Sequence, residues 1–336
     1  MVRHPGGRYR LDDSYIPRHR FPRPCHVRFV NKLRSTARAS VAIAGAIVVA
    51  GLVLYLLPTG TRKDDTPEAA KTDLLSEVQQ FSQGMSAETG YTRPTQAERT
   101  AISTGVQRVL DNAPNEAKDV LAAVGYTISE RVDTATQRKY HEISDNAGNP
   151  RGWGRVVIDT SESTRLGIEV PHPKADQDSE SLGVELFRKA PGSVLVVAGA
   201  HRRAAENLVA DMAHTTTSVF EDLHELLVRR RVPVVQLHGF QNETAPDSDV
   251  VVSAGPPLSS PLAVQTAQRL ESAGLSVCKP WVTGCPGLEA TTNVQARYSD
   301  EQKAEFVHVE VSRDIRDNPS ARDQVASVLA GKKGDR

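Results

Sequence analysis

The chain has 336 residues and zero formal net charge, with 41 basic and 41 acidic residues. The charge is uneven along the chain, because residues 1–38 hold ten lysines and arginines against two aspartates, which leaves 31 basic and 39 acidic residues beyond residue 38. Membrane topology accounts for this asymmetry, so the charge gives no reason to infer nucleic-acid binding.

The first predicted elements are a basic tail and a membrane segment. Residues 39–61 carry no charge, and those before Pro58 are almost all apolar on every face. A helix of this length crosses a bilayer core, about 30 Å at about 1.5 Å per residue. The positive charge of residues 1–38 keeps this disordered tail in the cytoplasm, in reach of anionic membrane lipid, and its length favours an uncleaved anchor over a signal peptide. We expect a single-pass protein of the cell membrane with an extracytoplasmic C-terminal domain.

The next segment, residues 62–150, is polar and shows helical periodicity in its apolar residues. Thr95, followed by Glu98 three residues later, indicates one helix start, and Pro114 with the following Asn115 and Glu116 indicates another. No motif of recognisable chemistry occurs here. We therefore predict a helical stalk or cap region.

Residues 151–336 change to short β-branched runs that alternate with amphipathic segments. Strands are predicted at 155–159, 166–170, 193–200, 232–239, 250–255, 275–277 and 306–312, and helices near 179–190, 203–230, 260–273 and 318–330. This alternation predicts an α/β domain with a mostly parallel sheet and helices on both faces. No dinucleotide-binding glycine motif, Walker loop or nucleophile elbow follows any of these strands.

Two of the three cysteines, Cys278 and Cys285, lie close together in the predicted exported part, whereas Cys25 lies in the tail. Export to an oxidising space favours a Cys278–Cys285 disulfide, and their spacing does not match a metal knuckle.

Polar residues that suit a metal site follow two of the predicted strands. His172 leaves one strand between two prolines, and Asp176 and Glu180 follow it. His238 ends another apolar run, before Gly239, which permits a tight turn or the close approach of a ligand. Imidazole and carboxylate groups are suitable zinc ligands, and ligands bind at the carboxyl ends of strands in open α/β sheets.

The last predicted strand carries a candidate general base. Period-two alternation places His308 and Glu310 on the same face, so Glu310 can act beside a metal-bound water, although a strand-end salt bridge to an arginine is the alternative. Substrate carboxylates are matched by arginines near the same edge. The candidates for this role are Arg202, Arg203, Arg313 and Arg316.

Together, the segments PHPKADQDSE, LHG and HVEVSR resemble the zinc-dependent poly-γ-glutamate hydrolase and N-formylglutamate amidohydrolase group, which is related to the zinc carboxypeptidases. The resemblance covers roughly residues 165–316. It implies that Zn²⁺ is bound by His172, His238 and an acidic ligand, either Asp176 or Glu180, with Glu310 as catalytic base. Asp176, the nearer acid, is slightly favoured. Pro173 departs from the pattern by replacing the glycine expected after the first histidine.

These observations predict a membrane-anchored, extracytoplasmic zinc-dependent hydrolase of amide bonds that acts on glutamyl or other carboxylate-bearing peptides or polymers. The alternative is a catalytically inactive envelope protein that uses an amidohydrolase-like domain for binding or scaffolding.

Overall fold

The computed structural model of the protein describes residues 69–285 and 287–331. The predicted cytoplasmic tail, the predicted membrane segment at 39–61 and Cys25 lie outside the described residues. Within the described ranges, no helix combines the length and the apolar character that crossing a bilayer requires.

Ten strands in the described residues form one sheet. They are β1 (Ala70–Thr72), β2 (Tyr126–Asp133), β3 (Lys139–Asp145), β4 (Arg155–Asp159), β5 (Leu166–Val170), β6 (Ser193–Val197), β7 (Val234–Phe240), β8 (Val250–Ser253), β9 (Val277–Cys278) and β10 (Phe306–Ser312). Their order across the sheet is β1-β2-β3-β4-β6-β5-β7-β10-β8-β9. Strands β5 and β6 are buried along their whole length, which explains their nearly continuous apolar sequences.

The sheet is mixed, with five parallel and four antiparallel strand pairings, so the parallel part predicted from the sequence is accompanied by antiparallel strands. The four central strands β6, β5, β7 and β10 run parallel, whereas β4 pairs antiparallel with β3 and β6, and β8 pairs antiparallel with β10. Strands β2, β3 and β4 follow one another through short connections without a helix, and such connections can join only antiparallel neighbours. The α/β class itself is confirmed.

Helices cover both faces of the sheet, as predicted. The described helices are α1 (Leu74–Gln83), α2 (Gln96–Leu110), α3 (Pro114–Ala122), α4 (Ser179–Lys189), α5 (Val219–Arg229), α6 (Pro261–Ser272), α7 (Val294–Glu301), α8 (Arg313–Asp317) and α9 (Pro319–Ala330). One core cluster joins the sheet to α1, α4, α6 and α9. A second cluster, on the opposite face, joins it to α2, α3, α5 and α7.

The region preceding β4 is not purely helical. Its predicted helix starts are present, because Thr95 and Glu98 form a reciprocal capping box on α2 and Pro114 is the first residue of α3. However, β1, β2 and β3 also lie here and extend the same sheet from β4. Strand β2 has mostly half-buried or exposed side chains, so its sequence lacks the apolar run that identified the central strands.

The predicted helix at 203–230 is shorter than expected. Only its second half is helical, because Asn207 and Leu208 adopt positive φ angles of 54° and 56°, which no right-handed helix accommodates. Helix α5 starts later, where the Ser218 side chain accepts a hydrogen bond from the Glu221 amide. Residues 198–218 therefore form a long connection after β6, at the edge of the sheet that carries the candidate site.

The predicted Cys278–Cys285 disulfide is present. Cys285 is buried against Phe240, Val251 and Leu288, so the bridge packs against β7 and β8. The residues that follow it, from Gly287 to Asn293, lead into α7.

Candidate metal centre

The candidate metal site lies at the carboxyl ends of the parallel central strands. His172 follows β5, His238 lies near the end of β7 and Glu310 lies near the end of β10. Strands β7 and β10 are paired in a register that places Glu310 directly beside His238. Residues far apart in the sequence therefore converge at a single edge, because parallel neighbours direct the same ends to the same side.

His172, Asp176 and His238 form a tight buried cluster. The Oδ2 atom of Asp176 lies 3.2 Å from Nδ1 of His172 and 3.3 Å from Nδ1 of His238. The two imidazole rings are 4.9 Å apart between centroids. A turn in which the Asp176 amide donates to the His172 carbonyl brings the acid back beneath the ring.

Each histidine of this cluster has a second partner on its other ring nitrogen. Nε2 of His172 lies 2.9 Å from Oδ1 of Asp211, and Nε2 of His238 lies 2.9 Å from Oε1 of Gln236. Both rings thus direct Nδ1 to the centre of the cluster and Nε2 to an oxygen outside it. Metal-binding histidines characteristically have such an outer oxygen partner.

The donor set fits a divalent cation. The ligand atoms of His172, Asp176 and His238 all lie within 4.8 Å of one another. Two imidazole nitrogens and one carboxylate oxygen form a ligand set of the kind that catalytic zinc uses, with a further position for water or substrate. These three residues could therefore hold the metal.

The electrostatics of the cluster also favour a cation. Burial opposes a charge on His172, but the neighbouring carboxylates of Asp176 and Asp211 outweigh it and raise the pKa of the imidazole to about 9. Burial likewise opposes ionisation of Asp176, yet the two histidines hold its pKa far below the usual range. A proton on His172 thus balances two buried carboxylates, and a metal ion at Nδ1 would displace it.

Glu310 and His308 form the neighbouring wall of the site. The rings of His238 and His308 are 4.5 Å apart, and Nε2 of His308 lies 3.7 Å from Oε1 of Glu310. The other carboxylate oxygen of Glu310 is buried without a hydrogen-bond partner among the described residues. Burial and the nearby charge of Asp176 raise the pKa of Glu310 to about 8. This carboxyl group can therefore hold a proton near neutral pH.

Glu180, the alternative acidic ligand, does not join the cluster. It lies in the first turn of α4 and faces a separate small cavity that Pro173, Lys174 and Arg313 also line. Burial raises the pKa of its carboxyl group to about 7. The structure thus brings Asp176, and not Glu180, to the two histidines. Asp178 adopts a left-handed backbone conformation just before α4, so the helix that carries Glu180 starts away from the site.

Three of the four candidate substrate arginines, Arg202, Arg203 and Arg313, occupy different positions relative to the site. Arg202 lines a cavity of about 230 Å³ together with the histidines and Glu310. Arg203 is exposed and does not line this cavity. Arg313 lies at the separate cavity near Glu180, where Asp178 and Asp317 pair with it. Arg202 therefore lies in the site. The positions of Arg203 and Arg313 do not support their predicted role in binding a substrate carboxylate.

Arg316 and Gly239 have a structural role. The Arg316 guanidinium is buried and donates to the backbone carbonyls of Gln177, Phe240 and Val311. A Cβ atom at Gly239 would lie 2.3 Å from Cζ of Arg316. The glycine that the sequence offered for a ligand's approach instead admits this arginine, which connects the loop after Asp176 to the ends of β7 and β10.

Asp211 is a site residue that sequence reasoning missed. Asp211 is fully buried and accepts hydrogen bonds from Nε and Nη2 of Arg202. His214 and His172 share its other oxygen. The feature that could have identified Asp211 in the sequence is its position in the connection after β6, at the same sheet edge as His172.

Comparison with protein-family models found no match, and no curated protein sequence matched. Among solved structures, a gene product of Agrobacterium tumefaciens is 16% identical with a TM-score of 0.38 and covers 50% of this chain and 86% of its own. A metallo-carboxypeptidase from Burkholderia cenocepacia is 10% identical with a TM-score of 0.35, covering 70% of this chain and 68% of its own. A bacteriophage poly-γ-glutamate hydrolase is 12% identical with a TM-score of 0.30, covering 52% and 85%.

The solved structures that this chain is similar to thus include a metallo-carboxypeptidase, a poly-γ-glutamate hydrolase and an aspartoacylase family protein, all at low sequence identity. This agrees with the resemblance inferred from the sequence motifs.

Proposed function

We propose that this chain is a zinc-dependent hydrolase of amide bonds that acts on glutamyl or other carboxylate-bearing peptides or polymers. The observation that carries the proposal is the convergence of His172, Asp176 and His238, whose ligand atoms lie within 4.8 Å of one another beside the carboxyl group of Glu310. When bound there, zinc would polarise a carbonyl group and lower the pKa of a water molecule.

Glu310 is the proposed general base. It lines the same cavity as the two histidines, and burial raises the pKa of its carboxyl group. In amide hydrolysis Glu310 would accept a proton from the attacking water and deliver it to the nitrogen of the leaving amine. Zinc bound beside Glu310 would lower this pKa, because a nearby cation favours the carboxylate form that accepts the proton.

Arg202 is the proposed recognition residue for a substrate carboxylate. Two of its nitrogens bind Asp211, which orients the guanidinium, while about 36% of the side chain stays exposed. An oriented arginine at the cavity wall is suited to bind a carboxylate or a polarised carbonyl oxygen. His214, Thr291 and Thr292 give the same cavity a polar lining, which favours a polar substrate over an apolar one.

The proposed location is the extracytoplasmic face of the cell membrane. The charge-free segment 39–61 and the basic residues before it support a single-pass anchor with the N-terminus in the cytoplasm. The Cys278–Cys285 bridge suits an oxidising compartment. The proposed substrates are accordingly peptides or polymers of the cell envelope.

Metal content tests the ligand set. We expect about one zinc ion per full-length chain, and its loss in His172→Ala, His238→Ala and Asp176→Asn. Two substitutions outside the cluster, His141→Ala in β3 and Glu180→Gln in α4, serve as controls and should keep the metal. A wild-type protein with no more zinc than these ligand variants would contradict the proposal.

Turnover distinguishes an enzyme from an inactive binding module. The Glu310→Gln variant should keep its zinc but hydrolyse poly-γ-glutamate and glutamyl peptides about 10²–10⁴-fold more slowly than the wild type. Amine release is the measurement. A zinc-loaded wild-type protein that hydrolyses none of these amides, while it still binds the polymer, would instead favour the binding or scaffolding function.

A further inference from the structure

Beneath the candidate metal centre, the side chain of Gln236 forms a hydrogen bond with Nε2 of His238. It lies two residues before His238 on β7, so both side chains project from the same face of the strand. Its side chain is completely buried. A buried amide in this position needs partners for every donor and acceptor.

Gln236 has four such partners. Its Nε2 donates to Oε2 of Glu169 at 3.0 Å and to Oε1 of Gln295 at 3.2 Å. Its Oε1 is 2.6 Å from Nδ2 of Asn293 and 2.9 Å from Nε2 of His238. The amide is therefore saturated, and its two ends face chemically different neighbours.

The orientation of the Gln236 amide is determined from two sides. The Glu169 carboxylate, which also binds Nδ1 of His224, can only accept, so the NH₂ group of Gln236 must face it. Independently, Oδ1 of Asn293 accepts from the Ala296 amide as the N-cap of α7, which leaves the Asn293 NH₂ group to face Gln236. Both constraints direct the carbonyl oxygen of Gln236 to His238.

An acceptor at this position determines the tautomer of His238. Because Oε1 of Gln236 accepts and does not donate, Nε2 of His238 must carry the proton of the neutral ring. The lone pair is then on Nδ1, which lies 3.3 Å from Oδ2 of Asp176. Lone pairs on both atoms repel each other unless a cation lies between them.

We propose that Gln236 is a positioning residue that holds His238 as the Nε2–H tautomer and so directs Nδ1 to the metal. This inference rests on the proposed zinc site. Asn293 ends the segment from Gly287 that lines the cavity, so the same amide also connects the cavity wall to a metal ligand. Among the described residues, the hydrogen bonds of Glu169, His224 and Gln295 do not reach His172, Asp176 or His238.

A matched pair of substitutions tests this role. Gln236→Met keeps the length of the side chain but removes the acceptor for His238, and we expect about 10–100-fold weaker zinc binding. Gln295→Met is the control, because Gln295 is equally buried, bonds Gln236, Glu221 and Met212, and does not touch His238. We expect its zinc affinity to stay within about threefold of that of the wild type.

Chelator competition on the full-length proteins measures the affinity, and the visible spectrum of the cobalt-substituted proteins reports the ligand geometry. The spectrum should change in Gln236→Met and stay the same in Gln295→Met. Equal losses of affinity in both variants would show a general effect of the buried network and overturn the proposal, as would a wild-type affinity in Gln236→Met.

A measurement on the wild-type protein covers the case in which Gln236→Met does not fold. Long-range proton–nitrogen NMR of the zinc-loaded protein identifies the ring nitrogen of His238 that carries a proton, and we expect Nε2. A proton on Nδ1 would overturn the role of Gln236 while leaving zinc binding intact. If the wild-type protein binds no zinc at all, the proposed function fails instead, so the two failures are distinguishable.

Discussion

Nε2 of His172 lies 2.9 Å from a carboxylate oxygen of Asp211, which is itself fully buried and also bound by Arg202. The pair connects the residue after β5 to the long connection after β6, 39 positions along the chain. A carboxylate behind a metal-binding imidazole orients the ring and increases its basicity.

Substitution of this carboxylate should weaken metal binding. We expect Asp211→Asn to reduce zinc affinity about 10–100-fold, because the neutral amide no longer supports the His172 imidazole. Chelator competition measures the change. Asp222→Asn is the control, because Asp222 pairs with Arg99 of α2. This variant should bind zinc with unchanged affinity. An unchanged affinity in Asp211→Asn would contradict the role of the pair.

Zinc binding should release a proton and strengthen with pH. Although burial disfavours the imidazolium, the carboxylates of Asp176 and Asp211 raise the pKa of His172 to about 9, so the metal-free ring is protonated at neutral pH. Zinc must displace that proton from Nδ1, and the apparent affinity should rise about tenfold per pH unit below pH 9. Calorimetry between pH 6.5 and about 8 in buffers of different ionisation enthalpy counts the protons. Binding without proton release would be inconsistent with this geometry.

A methyl group at Gly239 should destabilise the protein. The Cβ atom of Gly239→Ala would overlap the guanidinium of Arg316, which three backbone carbonyls hold in place. We expect the free energy of unfolding to fall by about 1–3 kcal/mol, measured by urea denaturation. Gly284→Ala is the control, because nothing lies within 4 Å of its added Cβ atom. Equal stability of the two variants would argue against a close contact at Gly239.

Removal of the disulfide should lower stability. The double substitution Cys278→Ser and Cys285→Ser releases a short loop, and we expect a loss of about 2 kcal/mol in the free energy of unfolding. Reduction of the wild-type protein with dithiothreitol should cause the same loss, whereas the double variant should not respond. A wild-type protein that is insensitive to reductant would show that the bridge contributes no stability.

The strands of the central sheet were predictable because burial on both faces requires continuous apolar sequence. The predicted ranges 155–159, 166–170 and 306–312 coincide with β4, β5 and β10. Strands β2 and β3 escaped prediction, since β2 is half-buried and contains Ser129, Glu130 and Arg131 between its apolar residues. The disulfide was predictable from its short sequence separation and the expected compartment.

The amino-acid sequence by itself determined that His172, His238 and Glu310 follow or end apolar strands, and this local property placed them at one edge of an α/β sheet. Only the tertiary structure decided which acid completes the cluster, because the turn after His172 brings Asp176 back and carries Glu180 away. It also decided the outer partners of both rings. The path of the chain after β6 brings Asp211 to His172, and the fixed orientation of a buried amide directs Gln236 to His238. No local sequence pattern encodes either contact.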